Sequence, residues 1–317
     1  MSPRTLRIGT RASALALWQA NRVSHLIRSL PGAPPVELVH IRTEGDVRTD
    51  VPLWAVDGRA FFTKEIDRAL LANEIDIAVH SLKDLSTTVE SGLALAAIVE
   101  RQNPRDALLA RSVKSLAELP AGARVGTSSL RRRAFLARVR PDVTPVELRG
   151  NVPTRIEKLQ RGEYDAIILA CAGLARLGLD QHITAQLPVE DFTPAVSQGA
   201  IGCCARADDE ESLRWLQPLD DKAARLATTA ERALLKRIEG GCQVPLGALA
   251  HLANDRVHLY AAVCSLDGSR HVSARGDAAA TIEDASALGE RLAEELLKQG
   301  AAQVIQVQRG ARRVEAP

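Results

Sequence analysis

A strand-and-helix grammar that runs through the first hundred residues and then restarts constrains this chain more than any other feature. Leu6-Arg7-Ile8-Gly9-Thr10 reads as a strand, followed by a helix with its N-cap at Ser13 and its stop at Pro31-Gly32. Val36 to Ile41 reads as a second strand and Phe62 to Leu71 as a helix. A third strand, Ile75 to Val79, runs into His80-Ser81-Leu82-Lys83-Asp84. The second pass has strands at Arg124 to Thr127, Val143 to Leu148 and Asp165 to Leu169, with helices from Ser129 to Arg138 and Val152 to Leu159. Two echoes fall in matching order: Arg7-Ile8-Gly9-Thr10 with Arg124-Val125-Gly126-Thr127, and Glu74-Ile75-Asp76-Ile77-Ala78 with Glu163-Tyr164-Asp165-Ala166-Ile167. The pattern predicts an α/β fold of two related lobes on largely parallel sheets, whose loop edges present helix N-termini to a ligand.

The last third follows a different grammar. A helix from Asp221 to Ile238 stops at Gly240-Gly241, and strand-like runs follow at Val244 to His251, Arg256 to Val263 and His271 to Arg275. A final helix spans Ile282 to Leu297, so a small α+β C-terminal domain is expected. Pro194 to Arg206 reads as an extended segment returning the chain to the first lobe. The expected organisation is domain 1 over 1–99 and 200–217, domain 2 over 105–194 and domain 3 over 220–317.

The 317 residues balance 41 positive against 39 negative charges, which argues against nucleic-acid and anionic-membrane partners, since both demand a sustained positive field. Nine aromatic residues are too few for a base-stacking platform. The longest apolar run, Ala166 to Ala175, cannot span a bilayer, and no apolar segment of a secretion signal follows Met1. Five cysteines without a Cys-x-x-Cys pair suggest neither a disulfide framework nor a zinc site, and point to the cytosol.

Among the cations, 34 are arginine and seven lysine, a bias suited to bidentate recognition of oxyanions. Four strand-to-helix turns place Arg at one edge: Arg11 beside Ser13, Arg131-Arg132 beside Ser129, Arg149 with Arg155, and Arg176. Helix capping is the ordinary role of the two serines. Arg131 and Arg132 lie in a first helical turn, where the dipole disfavours cations, so an uncompensated pair there implies a bound anion. The glycines of these turns allow close backbone approach. Lys83-Asp84 follows a strand directly and reaches the same edge, where an ionised carboxylate can stabilise a developing cation and relay protons. Cys171, Cys203, Cys204 and Cys264 sit in apolar runs as small hydrophobes. Cys242 sits on a Gly-Gly-Cys-Gln-Val-Pro turn, a setting for covalent attachment or nucleophilic chemistry.

Taken in order, several motifs resemble the porphobilinogen deaminase (hydroxymethylbilane synthase) family from about Leu6 to Gly300. They are Ile8-Gly9-Thr10-Arg11 with Leu15-Ala16-Leu17-Trp18-Gln19-Ala20, Val79-His80-Ser81-Leu82-Lys83-Asp84, Gly126-Thr127-Ser128-Ser129-Leu130-Arg131-Arg132, Leu148-Arg149-Gly150-Asn151, Pro194-Ala195-Val196 and Gly240-Gly241-Cys242-Gln243-Val244-Pro245. The resemblance implies two lobes like those of a periplasmic binding protein plus a third domain. It also implies a dipyrromethane cofactor on Cys242 and the head-to-tail joining of four porphobilinogens with loss of ammonia, in a monomer. By matching position, Asp84 is the catalytic carboxylate. Lys83, Ser13, Ser129, Arg131, Arg132 and Arg155 meet cofactor carboxylates, while Arg11, Arg149 and Arg176 with Gln19, Phe62 and Gln198 serve the substrate. Each ring carries an acetate and a propionate, so the cleft needs many fixed cations.

The chain departs from the family pattern at Asp57-Gly58-Arg59-Ala60, Ser86, Pro153 and Ser197, none of which removes a catalytic or carboxylate-binding group. A two-lobed anion-binding or effector-sensing protein is the competing reading. It accounts for the arginines and leaves the Cys242 turn and the third domain without a role.

Overall fold

In the computed structural model, residues 4–43, 63–238 and 244–305 are described. Phe62, the loop at 57–60 and Cys242 lie outside them. The chain divides into two compact units, one of residues 1–49, 58–102 and 199–225, the other of 50–57, 103–198 and 226–317.

The sheet of unit 1 comprises β1 (Leu6–Thr10), β2 (Val36–His40), β3 (Ile77–Ser81), β4 (Leu93–Arg101) and β10 (Ala200–Arg206), ordered β2-β1-β3-β10-β4. Pairing is parallel across β2, β1 and β3, and β10 runs antiparallel to both its neighbours. Both faces are covered, as a sheet of near-continuous apolar strands requires. Ala20, Val23 and Ile27 of α1 (Ala14–Arg28) belong to one core with Leu6, Ile8, Ile77 and Val79. Ile66, Ala69 and Leu70 of α2 (Lys64–Leu71) share a second core with Ala78, Leu82, Ile98 and Cys204.

Unit 2 repeats this order with β5 (Asp106–Ala110), β6 (Arg124–Gly126), β7 (Thr144–Val146), β8 (Ala166–Ala170) and β9 (Ala185–Gln186), arranged β7-β6-β8-β5-β9. Again the fourth strand, here β5, is antiparallel to both neighbours. Three helices serve this sheet: α3 (Leu130–Val139), α4 (Val152–Gln160) and α5 (Cys171–Arg176). In the same unit, β11 (Leu246–Ala253), β12 (Arg256–Cys264) and β13 (His271–Ala279) form an antiparallel sheet. The remaining helices are α6 (Glu210–Leu216), whose Leu216 belongs to the core of unit 1, and α7 (Lys222–Arg237) and α8 (Ile282–Lys298). Leu288, Leu292 and Leu296 of α8 and Leu226, Ala230 and Leu234 of α7 share a core with Val257 and Leu259 of the antiparallel sheet.

The α/β class and the antiparallel C-terminal sheet are as the periodicity predicts. The sheets are less parallel than expected, because β5 and β10 enter each one from outside the local strand-helix-strand series. The expected return segment is β10, inserted between β3 and β4. The four cysteines read as small hydrophobes are all buried. Gly9 and Gly126 serve the core rather than a ligand: a Cβ would stand 2.3 Å from Ile75 Cδ1 at the first and 2.9 Å from Tyr164 Cδ1 at the second.

Candidate functional site

In unit 1 the predicted residues gather at the C-terminal ends of β1 and β3. Ser13 is the N-cap of α1, its Oγ accepting the Ala16 N–H at 3.3 Å. Arg11, half-buried, lies between this cap and β1. Gln19 is buried on α1, and its amide meets Ser81 Oγ at the end of β3 at 2.8 Å. A short 3₁₀ turn, Leu82–Asp84, follows directly. Leu82 and Leu85 are buried on either side of Lys83 and Asp84, so apolar anchors fix a turn whose two charged residues stay half-exposed.

His80, inside β3, is buried, and its Nε2 has no hydrogen-bond partner. Burial, assisted by the nearby Arg11 charge, pulls its pKa from the usual value to about 4. The imidazole is therefore neutral at physiological pH.

In unit 2, Ser129 caps α3 by accepting the Arg132 N–H at 3.4 Å. Arg131 and Arg132 follow at once, both buried. They are not the uncompensated cations expected from their position. Both reach Asp106, the first residue of β5, whose side chain is fully buried. Arg131 Nη1 donates to Asp106 Oδ2 at 2.8 Å and to Thr193 O at 2.6 Å. Arg132 grips Asp106 Oδ1 through Nε at 3.1 Å and Nη2 at 2.7 Å, and its Nη1 reaches Ile168 O at 2.9 Å. Burial alone would raise the Asp106 carboxyl; the two guanidiniums hold it well below the usual carboxylate range. One carboxylate against two guanidiniums still leaves positive charge, and Arg131 Nε is buried without an acceptor.

Gln198 joins this group. Its Nε2 donates to Asp106 Oδ1 at 2.9 Å and to Pro104 O at 2.7 Å. On the neighbouring turn Asn151 caps α4, accepting the Thr154 N–H at 3.0 Å, with Pro153 in the first turn where its missing N–H costs nothing. Arg155 Nε donates to Gly150 O at 2.7 Å. Burial, then the charges of Arg132 and Arg149, pull Arg155 down to about 10. Arg176 ends α5 and is buried.

Each unit thus brings its own predicted residues to one edge: Arg11, Ser13, Gln19, Lys83 and Asp84 in the first, and Ser129, Arg131, Arg132, Arg149, Arg155, Arg176 and Gln198 in the second. Phe62 and Cys242 fall outside the described residues. Sequence reasoning missed Asp106, because it assigned no element between Asp84 and Arg124. An acid placed immediately before the apolar run Ala107-Leu108-Leu109-Ala110 was the available signal. It also missed Glu231, fully buried on α7, whose carboxylate accepts the N–H groups of Ser197 at 2.6 Å and Ala250 at 2.7 Å.

Residues 6–214 match the family model described as porphobilinogen deaminase, dipyrromethane cofactor binding domain, and residues 225–298 match the porphobilinogen deaminase C-terminal domain. The chain belongs to the porphobilinogen deaminase family. It is 52% identical over 296 residues to the porphobilinogen deaminase of Roseiflexus sp. (strain RS-1), covering 93% of this chain and 97% of that protein. Against the porphobilinogen deaminase of Roseiflexus castenholzii (strain DSM 13941 / HLO8) the identity is 50%, with the same coverage. Among solved structures, a methionine binding protein is similar at a TM-score of 0.44 and 15% identity, covering 72% of this chain and 93% of that one.

Proposed function

We propose that this chain joins four porphobilinogen molecules head to tail, with loss of ammonia at each addition, and releases hydroxymethylbilane by hydrolysis, a transferase step of tetrapyrrole and haem biosynthesis. The ordered match of both family models along the chain carries this reading over a non-catalytic anion sensor.

A carboxylate-rich dipyrromethane suits the residues of unit 2. Arg131 Nε lacks an acceptor, and Arg132 and Arg149 crowd Arg155 with like charge, so anionic oxygen relieves both. Arg131, Arg132, Arg155, Lys83, Ser13 and Ser129 would hold it, with Cys242 as the point of attachment. When bound, this group supplies the open pyrrole carbon from which the chain grows. The two serines use an acceptor lone pair for capping, which leaves each O–H to donate to a carboxylate. Arg11, Arg149 and Arg176 hold the acetate and propionate of the incoming substrate, and Gln19, Phe62 and Gln198 border its ring. Asp84 accepts the substrate pyrrole N–H, stabilises the positive charge that spreads onto the ring as ammonia leaves, and relays protons.

The reading extends to a monomer in the cytosol whose partner is porphobilinogen, with neither nucleic acid nor membrane involved. No helix among the described residues is long and apolar enough to cross a membrane. Intact-protein mass after expression in a haem-producing host tests the whole proposal. An adduct of two linked pyrroles on Cys242, together with consumption of porphobilinogen, is expected; a bare polypeptide that consumes none defeats it.

A further inference from the structure

Two arginines side by side in the first turn of a helix repel each other and oppose the helix dipole, so left alone they would swing apart into solvent. Here both are buried, and each guanidinium is fixed by acceptors from two places: Asp106 with Thr193 for Arg131, Asp106 with Ile168 for Arg132. Asp106 is the shared acceptor. Its own rotation is set in turn by the Gln198 amide, which ties the same oxygen to Pro104 O. Gln198 is also the last residue before the chain leaves unit 2 at 199, and Asp106 lies just after it enters at 103. The carboxylate therefore joins three sequence-distant segments, at 104–106, 131–132 and 193–198.

We propose that Asp106, oriented by Gln198, is the positioning residue that aims the Arg131 and Arg132 guanidiniums at ligand carboxylates. The proposal rests on the reading of Arg131 and Arg132 as cofactor ligands. Asp106 does not replace the ligand. Its single charge offsets one cation of the pair, leaving the other, and the acceptorless Nε of Arg131, for an anion that arrives with the cofactor. The direction of those donors, rather than their presence, is what Asp106 supplies.

The test compares wild type, Asp106→Asn, Asp106→Glu and Gln198→Ala. Intact mass gives the fraction carrying the pyrrole adduct, and thermal unfolding reports folding. Asp106→Asn should load at least about tenfold less than wild type, the scale of one lost charge-assisted bond. Asp106→Glu keeps the charge but displaces it by one methylene, and should recover the melting temperature while remaining under-loaded. Gln198→Ala should fold normally and load about threefold to tenfold less, the readout being the adduct because Gln198 also borders the substrate ring. A purely structural role would lower the melting temperature and leave the loaded fraction of the folded protein at the wild-type level. Should Asp106→Asn fail to fold, Gln198→Ala and Asp106→Glu decide the matter, and wild-type loading in both overturns the proposal. A wild type without adduct sinks the functional reading and this inference with it, whereas a loaded wild type beside an equally loaded Asp106→Asn sinks this inference alone.

Discussion

The two five-stranded sheets share one strand order and one anchoring pair, yet they bury their ions at opposite edges. At the N-terminal ends of the parallel strands, Asp76 accepts the Arg7 N–H at 2.9 Å and returns its own N–H to Arg7 O. Asp165 does the same with Arg124, at 2.7 Å. In unit 1 this edge then gathers Arg4, Arg7 and Arg206 about the fully buried Asp76, with Asp209 alongside. In unit 2 the corresponding edge stays open: Asp165 is half-buried, and the Arg124 guanidinium lies over Tyr164, 5.9 Å from the ring centroid. The buried ion cluster of the five-stranded sheet in unit 2 is formed by Asp106, Arg131 and Arg132, at the edge where helix N-termini begin. An ion cluster at the strand N-termini can only hold the sheet together. The same chemistry at the other edge stands beside capped helices and loops, where its unbalanced charge is available to a ligand.

That division of labour can be broken by substitution. The largest effect is expected at the ligand edge of unit 1. Asp84→Asn should keep the pyrrole adduct and lose about a hundredfold to ten-thousandfold in turnover, measured as porphobilinogen consumption, because the shape survives while the charge does not. Near-normal rates would move the chemistry to another residue.

Asp76→Asn, at the other edge, should do the reverse. Burial alone would raise the Asp76 carboxyl; hydrogen bonds from Arg7 and Arg4 hold it well below the usual range. Its stabilisation is therefore full above the unfolded carboxylate pKa of about 4 and is lost as pH falls below it. Removing it at pH 7 should cost about 3 kcal/mol in urea unfolding, with KM unmoved, and the gap between variant and wild type should narrow below about pH 4. A changed KM with intact stability would erase the contrast between the edges.

His80 sharpens the comparison, since it is a ligand-edge residue whose burial has a stability cost. Its pKa is depressed to about 4, so between there and 6.5 the unfolded chain binds a proton that the folded one refuses. Stability is full above pH 6.5 and falls as pH drops. Relative to neutral pH the loss should reach about 2 kcal/mol at pH 5, and His80→Gln should abolish that slope. Parallel pH profiles would count against the assignment.

The smallest effect belongs to the return crossing. Ser197 has φ 63°, a left-handed conformation that favours glycine, and its Oγ is buried without a partner. Ser197→Gly should stabilise by about 1 kcal/mol or less, read as a small rise in melting temperature. A fall would mean the hydroxyl has an unseen role.

The lobes were legible because each strand-helix unit carries its own periodicity and caps: Ser13, Ser129 and Asn151 all cap where their spacing to the following apolar run says they should. The echoed Arg7 and Asp76, Arg124 and Asp165 are likewise explained, as the reciprocal anchors of β1 with β3 and of β6 with β8. β4 and β5 were not legible. Leu93–Arg101 is an alanine-rich run without alternation, and Asp106–Ala110 is five residues whose role depends on a partner strand sixty positions onward. The counter-ion of Arg131 and Arg132 escaped for the same reason. A helix-face reading compares residues three or four apart, and Asp106 lies 25 and 26 positions upstream.

The fourth strand of each sheet carries a consequence for how the protein is made. β10, which sits between β3 and β4, is read out from residues 200–206, after the whole second sheet has been specified. A ribosome that has delivered the first hundred residues has supplied β3 and β4 without the strand that joins them. The N-terminal lobe therefore cannot finish folding as a vectorial first domain. The gap between β3 and β4 stays open while about a third of the chain is synthesised, and a message truncated between residues 186 and 200 specifies every strand of the second sheet while the first still lacks β10.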